Sequence, residues 1–383
     1  VQQLKHTLDF KHKKYMYSYD KRIVLTLDAG GTNFVFSAIQ SNEEIVTPVV
    51  LPACSDNLDK CMETLVEGFQ LIRNSISTDP VAISFAFPGP ADYDNGIIGD
   101  LPNFSCFRGG VAMGPFLQEK FGIPVFINND GNLFAYGEAL AGLLPDVNRK
   151  LEEAGSRRRY KNLLGITLGT GFGAGVVINK VLLTGDNGVG GDMWIFRNGK
   201  YPNMIAEESV SIRAVKRVYR ELTSDTTELS PKDIFEIAEG IKSGNREAAI
   251  RSFEELGELA GHALSYSLTI VDGMVSIGGG ITGAAKYIIP AMIRTMQQPV
   301  ETFAGLSFKG MQMDIYNLMN PNEYVEFLKD ESVPVTIPGT DKEVYYNIGR
   351  KVGIAVTSLG TSKAVALGAY AFALAQLDKT ENI

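Results

Sequence analysis

Cysteine is scarce. Cys54, Cys61 and Cys106 are the three in 383 residues. They form no C-x-x-C, so neither a disulfide framework nor a structural zinc site is supported, and a reducing, cytoplasmic setting is expected. Histidine is as rare, with His6 and His12 in a polar arm over residues 1–21 and His262 in a helical stretch. Carboxylates are therefore the expected proton acceptors. No apolar run is long enough to span a bilayer. The arm lacks the apolar centre of a secretory signal. No membrane partner is expected. The net charge of −8 argues against nucleic acid as a partner. The basic triplet Arg157-Arg158-Arg159 has no interleaved aromatics, and the polar stretch 145–162 around it reads as a solvated insertion. Two nucleotide-binding signatures are missing. Gly199-Lys200 is followed by Tyr201, which excludes a Walker A loop, and the glycines of 169–175 hold no G-x-G-x-x-G in register.

What is present begins at residues 25–36. Apolar residues lead to Asp28, then Ala29-Gly30-Gly31-Thr32, then apolar residues resume. This reads as strand, tight turn and strand. Glycines 30 and 31 lack Cβ, so the turn can be sharp and a ligand can approach its backbone. Exposed N–H groups there make a concavity for an anion. Thr32 and Asn33 add donors, and Asp28 could face a metal ion held by that anion. The theme returns at 163–181 with Gly169-Thr170-Gly171-Phe172-Gly173, which suggests duplicated domains facing each other across a cleft. A third run, Gly278-Gly279-Gly280, caps an apolar strand at 271–277 and could let a nucleoside lie flat on the backbone.

The intervening chain alternates strands and helices, which argues for an α/β layer fold. A third strand is expected at 44–51, a helix at 58–75 and a doubly buried strand at 81–87. That strand breaks at Pro88-Gly89-Pro90. A helix over 116–121 ends near Gly122, a strand follows at 124–128 and a helix at 131–144. Residues 203–262 read as helical, and further helical signals start at Ala284. Residues 300–345 are irregular, with strand-like pieces such as 333–337. An Ala-rich helix at 362–377, capped by Ser362, closes the chain.

One glycine cradle can hold a phosphate, and two can clamp a triphosphate. Phosphoryl transfer needs that positioning, a metal ion and a proton acceptor. Asp130, in Asn128-Asn129-Asp130-Gly131-Asn132, stands where a buried strand meets a helix, the edge at which α/β proteins place ligands. The same position suits a helix N-cap, and from these residues both roles stand.

Six short motifs in order resemble the ROK family of sugar kinases, within the actin/hexokinase superfamily. They are Asp28-Ala29-Gly30-Gly31-Thr32; Phe87-Pro88-Gly89-Pro90 with Leu101-Pro102-Asn103-Phe104; Asn129-Asp130-Gly131-Asn132; Gly169-Thr170-Gly171-Phe172-Gly173; residues 188–192; and Gly278-Gly279-Gly280. The resemblance implies two ribonuclease-H-like domains, a duplicated actin-like ATPase fold, with a nucleotide and sugar cleft between them. The expected division is 1–128 plus 362–383, with the last helix returning, and 129–361. By resemblance, Asp28, Gly30, Gly31, Thr32 and Asn33 form the first phosphate loop. Gly169, Thr170, Gly171 and Gly173 form the second, and Gly278, Gly279 and Gly280 the adenosine site. Asp130 is the implied general base. Gly89, Asn103, Asn129, Asp130, Asp192 and Glu207 form the implied sugar site. ATP and Mg²⁺ are the implied cofactors, a small sugar the substrate, and a homodimer is expected.

The chain departs from the family at its zinc site. Gly191-Asp192-Met193-Trp194-Ile195 lacks the usual histidine, and 197–207 has no cysteine, so no structural zinc is expected. The implied activity is ATP-dependent phosphorylation of a hexose or hexosamine hydroxyl. The alternative is a sugar-binding regulator of the same family without its DNA-binding domain, or an inactive sugar sensor. Family regulators carry an N-terminal winged helix, for which residues 1–21 are too short.

Overall fold

In the computed structural model, residues 16–101, 104–224 and 226–380 are described. The chain forms two compact units. The first takes residues up to 145, 180–190 and those from 359 onward; the second takes 146–179 and 191–358.

The first unit is built on β1 (Val24–Ala29), β2 (Asn33–Gln40), β3 (Glu43–Glu44), β4 (Val49–Pro52), β5 (Ala82–Ala86) and β6 (Val125–Asn128). β1 and β2 are an antiparallel hairpin, while β5 runs parallel to β1 and β6 parallel to β5. The sheet order is β3-β2-β1-β5-β6, with β4 also on β2. Side chains alternate between faces along a strand. Leu25, Leu27, Ile83 and Phe85 join a core with Phe36 and Phe69, whereas Val24 and Ala82 pack with Tyr370 and Leu374 of the final helix, Thr361–Thr380. Every residue of β5 is buried, as a strand covered on both faces requires.

The helix Asp130–Leu140 lies against that final helix. A Cβ at Gly137 would collide with the Ala364 carbonyl, and one at Gly368 with that of Leu133. This contact puts residues 130–140 in the first unit, so the boundary falls at 145 rather than at the expected 128. Apolar periodicity does not reveal which helix two glycines will face.

The second unit contains β7 (Leu163–Leu168), β8 (Phe172–Ile178), β9 (Met274–Gly278), β10 (Asp314–Asn317) and β11 (Lys351–Val356), in the order β8-β7-β9-β11-β10. β7 and β8 are again an antiparallel hairpin, and β9, β11 and β10 continue in parallel with β7. The hairpin-then-parallel plan thus occurs twice. The 26-residue helix Arg246–Val271 packs on Ala285–Gln297. There Gly257 and Gly261 leave no room for a Cβ beside Ile288 and Met292.

Several expectations are corrected. Residues 145–162 are no solvated insertion, because Leu143–Glu153 is a helix with Leu144, Val147 and Leu151 buried at helical spacing. Arg157 pairs with Asp330 at 2.9 Å and lies 3.7 Å over the Tyr345 ring, so it is fixed to the ribbon of Ser332–Thr336 and Glu343–Asn347. The helix expected over 131–144 ends at Leu140. The third strand divides into β3 and β4. Val271 ends a helix rather than starting a strand, since Asp272 takes a left-handed φ of 42° and stops it. Ser362 does not cap the last helix, which already begins at Thr361.

Candidate active site

In the first unit, strand register gathers most of the residues singled out by sequence. β1, β5 and β6 are parallel neighbours, so their C-terminal ends share one sheet edge. That edge carries Asp28, the loop Phe87-Pro88-Gly89, and Asn129 with Asp130. The Phe87 N–H donates to the Asn128 carbonyl at 2.9 Å.

The β1–β2 turn is tight. The Gly30 N–H donates to the Asn33 carbonyl at 3.0 Å, and a Cβ on Gly30 would stand 2.9 Å from that oxygen. Around Gly31 the space is open. Asp28, Gly30, Gly31, Thr32 and Asn33 are all exposed.

Asp130 is not the helix cap. Asn129 is, its Oδ1 accepting the Asn132 N–H at 2.6 Å. Asp130 is the first helical residue, and its Oδ1 accepts the Gly131 N–H at 2.9 Å. Solvent reaches Asp130, yet dense protein surrounds it. That surrounding low-dielectric mass pushes its carboxyl above the usual carboxylate range. Backbone N–H groups of Gly131 and of Asp130 itself oppose the push, and the Asp28 charge adds to it.

Two side chains that sequence reasoning missed hold the loops at Phe87 and Leu101. The Tyr93 hydroxyl donates to the Phe87 carbonyl at 2.9 Å and lies 3.2 Å from where a Gly89 Cβ would be. Arg108 donates to the carbonyls of Leu101 and Phe107 at 2.9 and 2.6 Å. Neither sits in a motif, so no local signal marks them. Phe104 is buried against Phe34, Phe87 and Phe107. Asn103 lies outside the described residues.

In the second unit, two glycine turns meet at one sheet edge. β9 is parallel to β7 with Gly278 opposite Thr167, so Gly278-Gly279-Gly280 stands beside the Gly169-Thr170-Gly171 turn. Gly279 has a φ of 97°, and a Cβ there would collide with Leu168; only glycine suits it. Gly280 is open, Thr170 is exposed, and Gly173 lies within β8, paired with Thr167. Glu207 serves this turn. Its Oε2 accepts the Phe172 N–H at 3.0 Å and would lie 2.6 Å from a Gly171 Cβ, while its Oε1 accepts from Arg213 at 3.1 Å. Asp192, half-buried, has its carboxyl pushed up by burial and eased down by a bond from Trp194. His262 packs edge-on to Tyr266 at 5.2 Å. Among the described residues, no group of three or more His, Cys, Asp or Glu could hold a metal ion.

The profile of the ROK family matches residues 24–307. The crystal structure of a glucokinase from Parabacteroides distasonis superposes with a TM-score of 0.86 at 60% identity, covering 94% of this chain and 99% of that one. A glucokinase from Thermotoga maritima is 26% identical over 310 residues, 72% of this chain and 90% of the relative. An N-acetyl-D-glucosamine kinase from Photobacterium profundum is 30% identical over 172 residues, 43% of this chain and half of the relative.

Proposed function

The chain belongs to the ROK family and is a sugar kinase, and on that premise we propose that its phosphoryl donor is ATP and its acceptor a hexose or hexosamine hydroxyl. The actin-like α/β fold of the family comes with it. The observation that carries the reading is the shared strand edge of the first unit, where an exposed Asp28 at the end of β1 and a carboxyl-raised Asp130 just past β6 lie on either side of β5.

Asp130 takes the hydroxyl proton as the sugar oxygen attacks phosphorus, and its raised carboxyl brings it nearer to working pH, where a general base is effective. The Asn129 Oδ1 is occupied as the helix cap, which leaves its amide nitrogen to donate to a sugar hydroxyl. Gly89, on the same edge of the first unit, completes the proposed sugar contacts there. Glu207 has both oxygens engaged, which favours a brace for the second phosphate turn over direct sugar contact. Gly30 to Asn33 and Gly169 to Gly173 cradle phosphates, and Gly278 to Gly280 receive the nucleoside.

The residues present fit Mg²⁺. This ion keeps several waters and takes one or two carboxylates with phosphate oxygens, and Asp28 offers an exposed carboxylate at the phosphate turn. Bound there, Mg²⁺ would supply charge neutralisation on the phosphates. The regulator reading has less support, since kinase relatives extend over most of the chain.

The test is a coupled ADP-release assay with ATP across hexoses, hexosamines and N-acetylated forms. At least one sugar should give ADP release well above the no-sugar rate and a sugar phosphate by mass spectrometry. No turnover on any of them would sink the reading.

A further inference from the structure

The second unit holds a cavity of about 520 Å³, and it belongs to the opposite edge of the sheet from the glycine turns. Lys161 and Asn162 precede β7, Asp272 precedes β9, Met313 precedes β10 and Arg350 precedes β11, and all of them line it. Gly169 and Gly278 stand at the far ends of β7 and β9. The cavity is therefore distinct from the candidate active site. Its size falls within the range of small-molecule pockets, roughly 300–1,000 Å³.

The charge of the lining is lopsided. Arg158, Arg159, Lys161 and Arg350 contribute to it, in a chain whose net charge is −8. The guanidiniums are held mainly by neutral groups. Arg158 donates to Asn347 Oδ1 at 2.8 Å and to the Gly349 carbonyl. Arg159 donates to the carbonyls of Ser156 and Arg158 at 2.6 and 2.7 Å, with the Glu152 carboxylate 4.0 Å away. Arg350 donates to Gln312 Oε1 at 3.0 Å. A carbonyl or amide fixes a guanidinium without cancelling its charge, which leaves preorganised donors for an oxyanion. Lys351 also lines the cavity, but its ammonium is buried and paired with Glu331 at 2.9 Å, so it adds no free charge.

The rest of the lining is different in kind. Thr269, Asn179 and Gln312 offer hydroxyl and amide groups, and Asp272 a carboxylate. Asp272 also caps the C-terminus of Arg246–Val271, where the helix dipole is negative. That end repels a second phosphate and accepts hydrogen bonds from hydroxyls. We propose that this cavity binds a phosphorylated polyol, a sugar phosphate, with its phosphate on Arg158, Lys161 and Arg350 and its hydroxyls on Asn179, Thr269 and Asp272. That such a ligand is the enzyme's own class of product rests on the sugar-kinase reading; the anion site itself does not.

The experiment is calorimetric titration of glucose 6-phosphate into the full chain, with and without saturating glucose and the nonhydrolysable ATP analogue AMPPNP. A saturable heat should persist when both are present. Lys161→Glu and Arg350→Glu should each weaken it by about tenfold or more, with melting temperatures and the KM for glucose and ATP unchanged. Asp130→Asn should leave it intact. Inorganic phosphate and glucose, as separate titrants, should bind at least about tenfold more weakly, since each satisfies half of the lining. Absence of the heat in wild type, or equal binding by both charge-reversal variants, overturns the site. Inorganic phosphate binding as tightly as the ester overturns the polyol assignment. A protein that phosphorylates no sugar in the panel, yet loses glucose 6-phosphate binding on charge reversal, refutes the kinase reading and retains this one.

Discussion

At the scale of single residues, Asp130, the proposed general base, gives the sharpest test of the chemistry. Because Asn129 provides the cap, Asp130→Asn removes a carboxylate without unmaking the helix start. If Asp130 is the base, kcat should fall by roughly 10²–10⁴, while AMPPNP binding persists. A variant within about threefold of wild type, under ~1 kcal/mol of barrier, would remove Asp130 from the mechanism. The pH dependence has a definite sign. The folded carboxyl lies above its ordinary value, so its protonated form is favoured by the fold. The associated stability is fully present below the unfolded pKa and is lost as pH rises through the folded one. Two outcomes follow. The kcat/KM profile should show an acid limb with a midpoint above the ordinary carboxylate range, absent in any residual activity of Asp130→Asn. The same variant should melt no lower than wild type, since it removes a charge that the fold disfavours. Melting several degrees lower would contradict the raised carboxyl.

At the scale of elements, the helix Asp130–Leu140 joins the site to the core. Its N-terminus carries Asn129 and Asp130, and its flank rests on the final helix through Gly137 and Gly368. Asn129→Ala should cost about 1 kcal/mol through the lost cap and raise the KM for sugar, whereas Asn129→Asp should restore the melting temperature. If Asn129→Ala melts like wild type, the cap carries no weight. Gly137→Ala has nowhere to put its methyl group, because the obstacle is the backbone carbonyl of Ala364. Overpacking of this kind costs roughly 1–3 kcal/mol or more, so the urea midpoint should drop clearly. An unchanged midpoint would mean that the two helices stand further apart than described.

At the scale of the whole molecule, metal and partner content can be tested without knowing the sugar. The three cysteines are free, Cys61 is buried with its thiol pushed up to about 12 by desolvation, and none falls within residues 188–207. Stability should therefore not depend on zinc. Dialysis against chelator should leave the melting temperature unchanged, and elemental analysis should find less than stoichiometric zinc. One equivalent that survives chelator, or a melting temperature that falls without it, would show a site formed by other ligands. The homodimer expected from the family remains a proposal, and sedimentation equilibrium should return about twice the monomer mass.

Local chemistry alone set the elements that carry the site. Apolar runs ending in glycine specified the turns at Gly30, Gly169 and Gly279, and period-3.6 spacing specified Leu58–Ser75, because sterics and side-chain period act over a few neighbouring residues. With the motifs around Gly89, Asp130 and residues 188–192, ordered along the chain, these turns pointed to the family. Other features arise from pairing over long separations, which no local period encodes. The parallel register of β1, β5 and β6 put Asp28, Gly89 and Asp130 on one edge. Register across the second sheet put Gly278 beside the Gly169 turn, and the fold turned Glu207 towards the Phe172 N–H. The same long-range order gathered Arg158, Lys161 and Arg350 into one cavity. Arg350 stands far along the chain from Arg158 and Lys161; the strand order of the second sheet is what brings it into the same cavity.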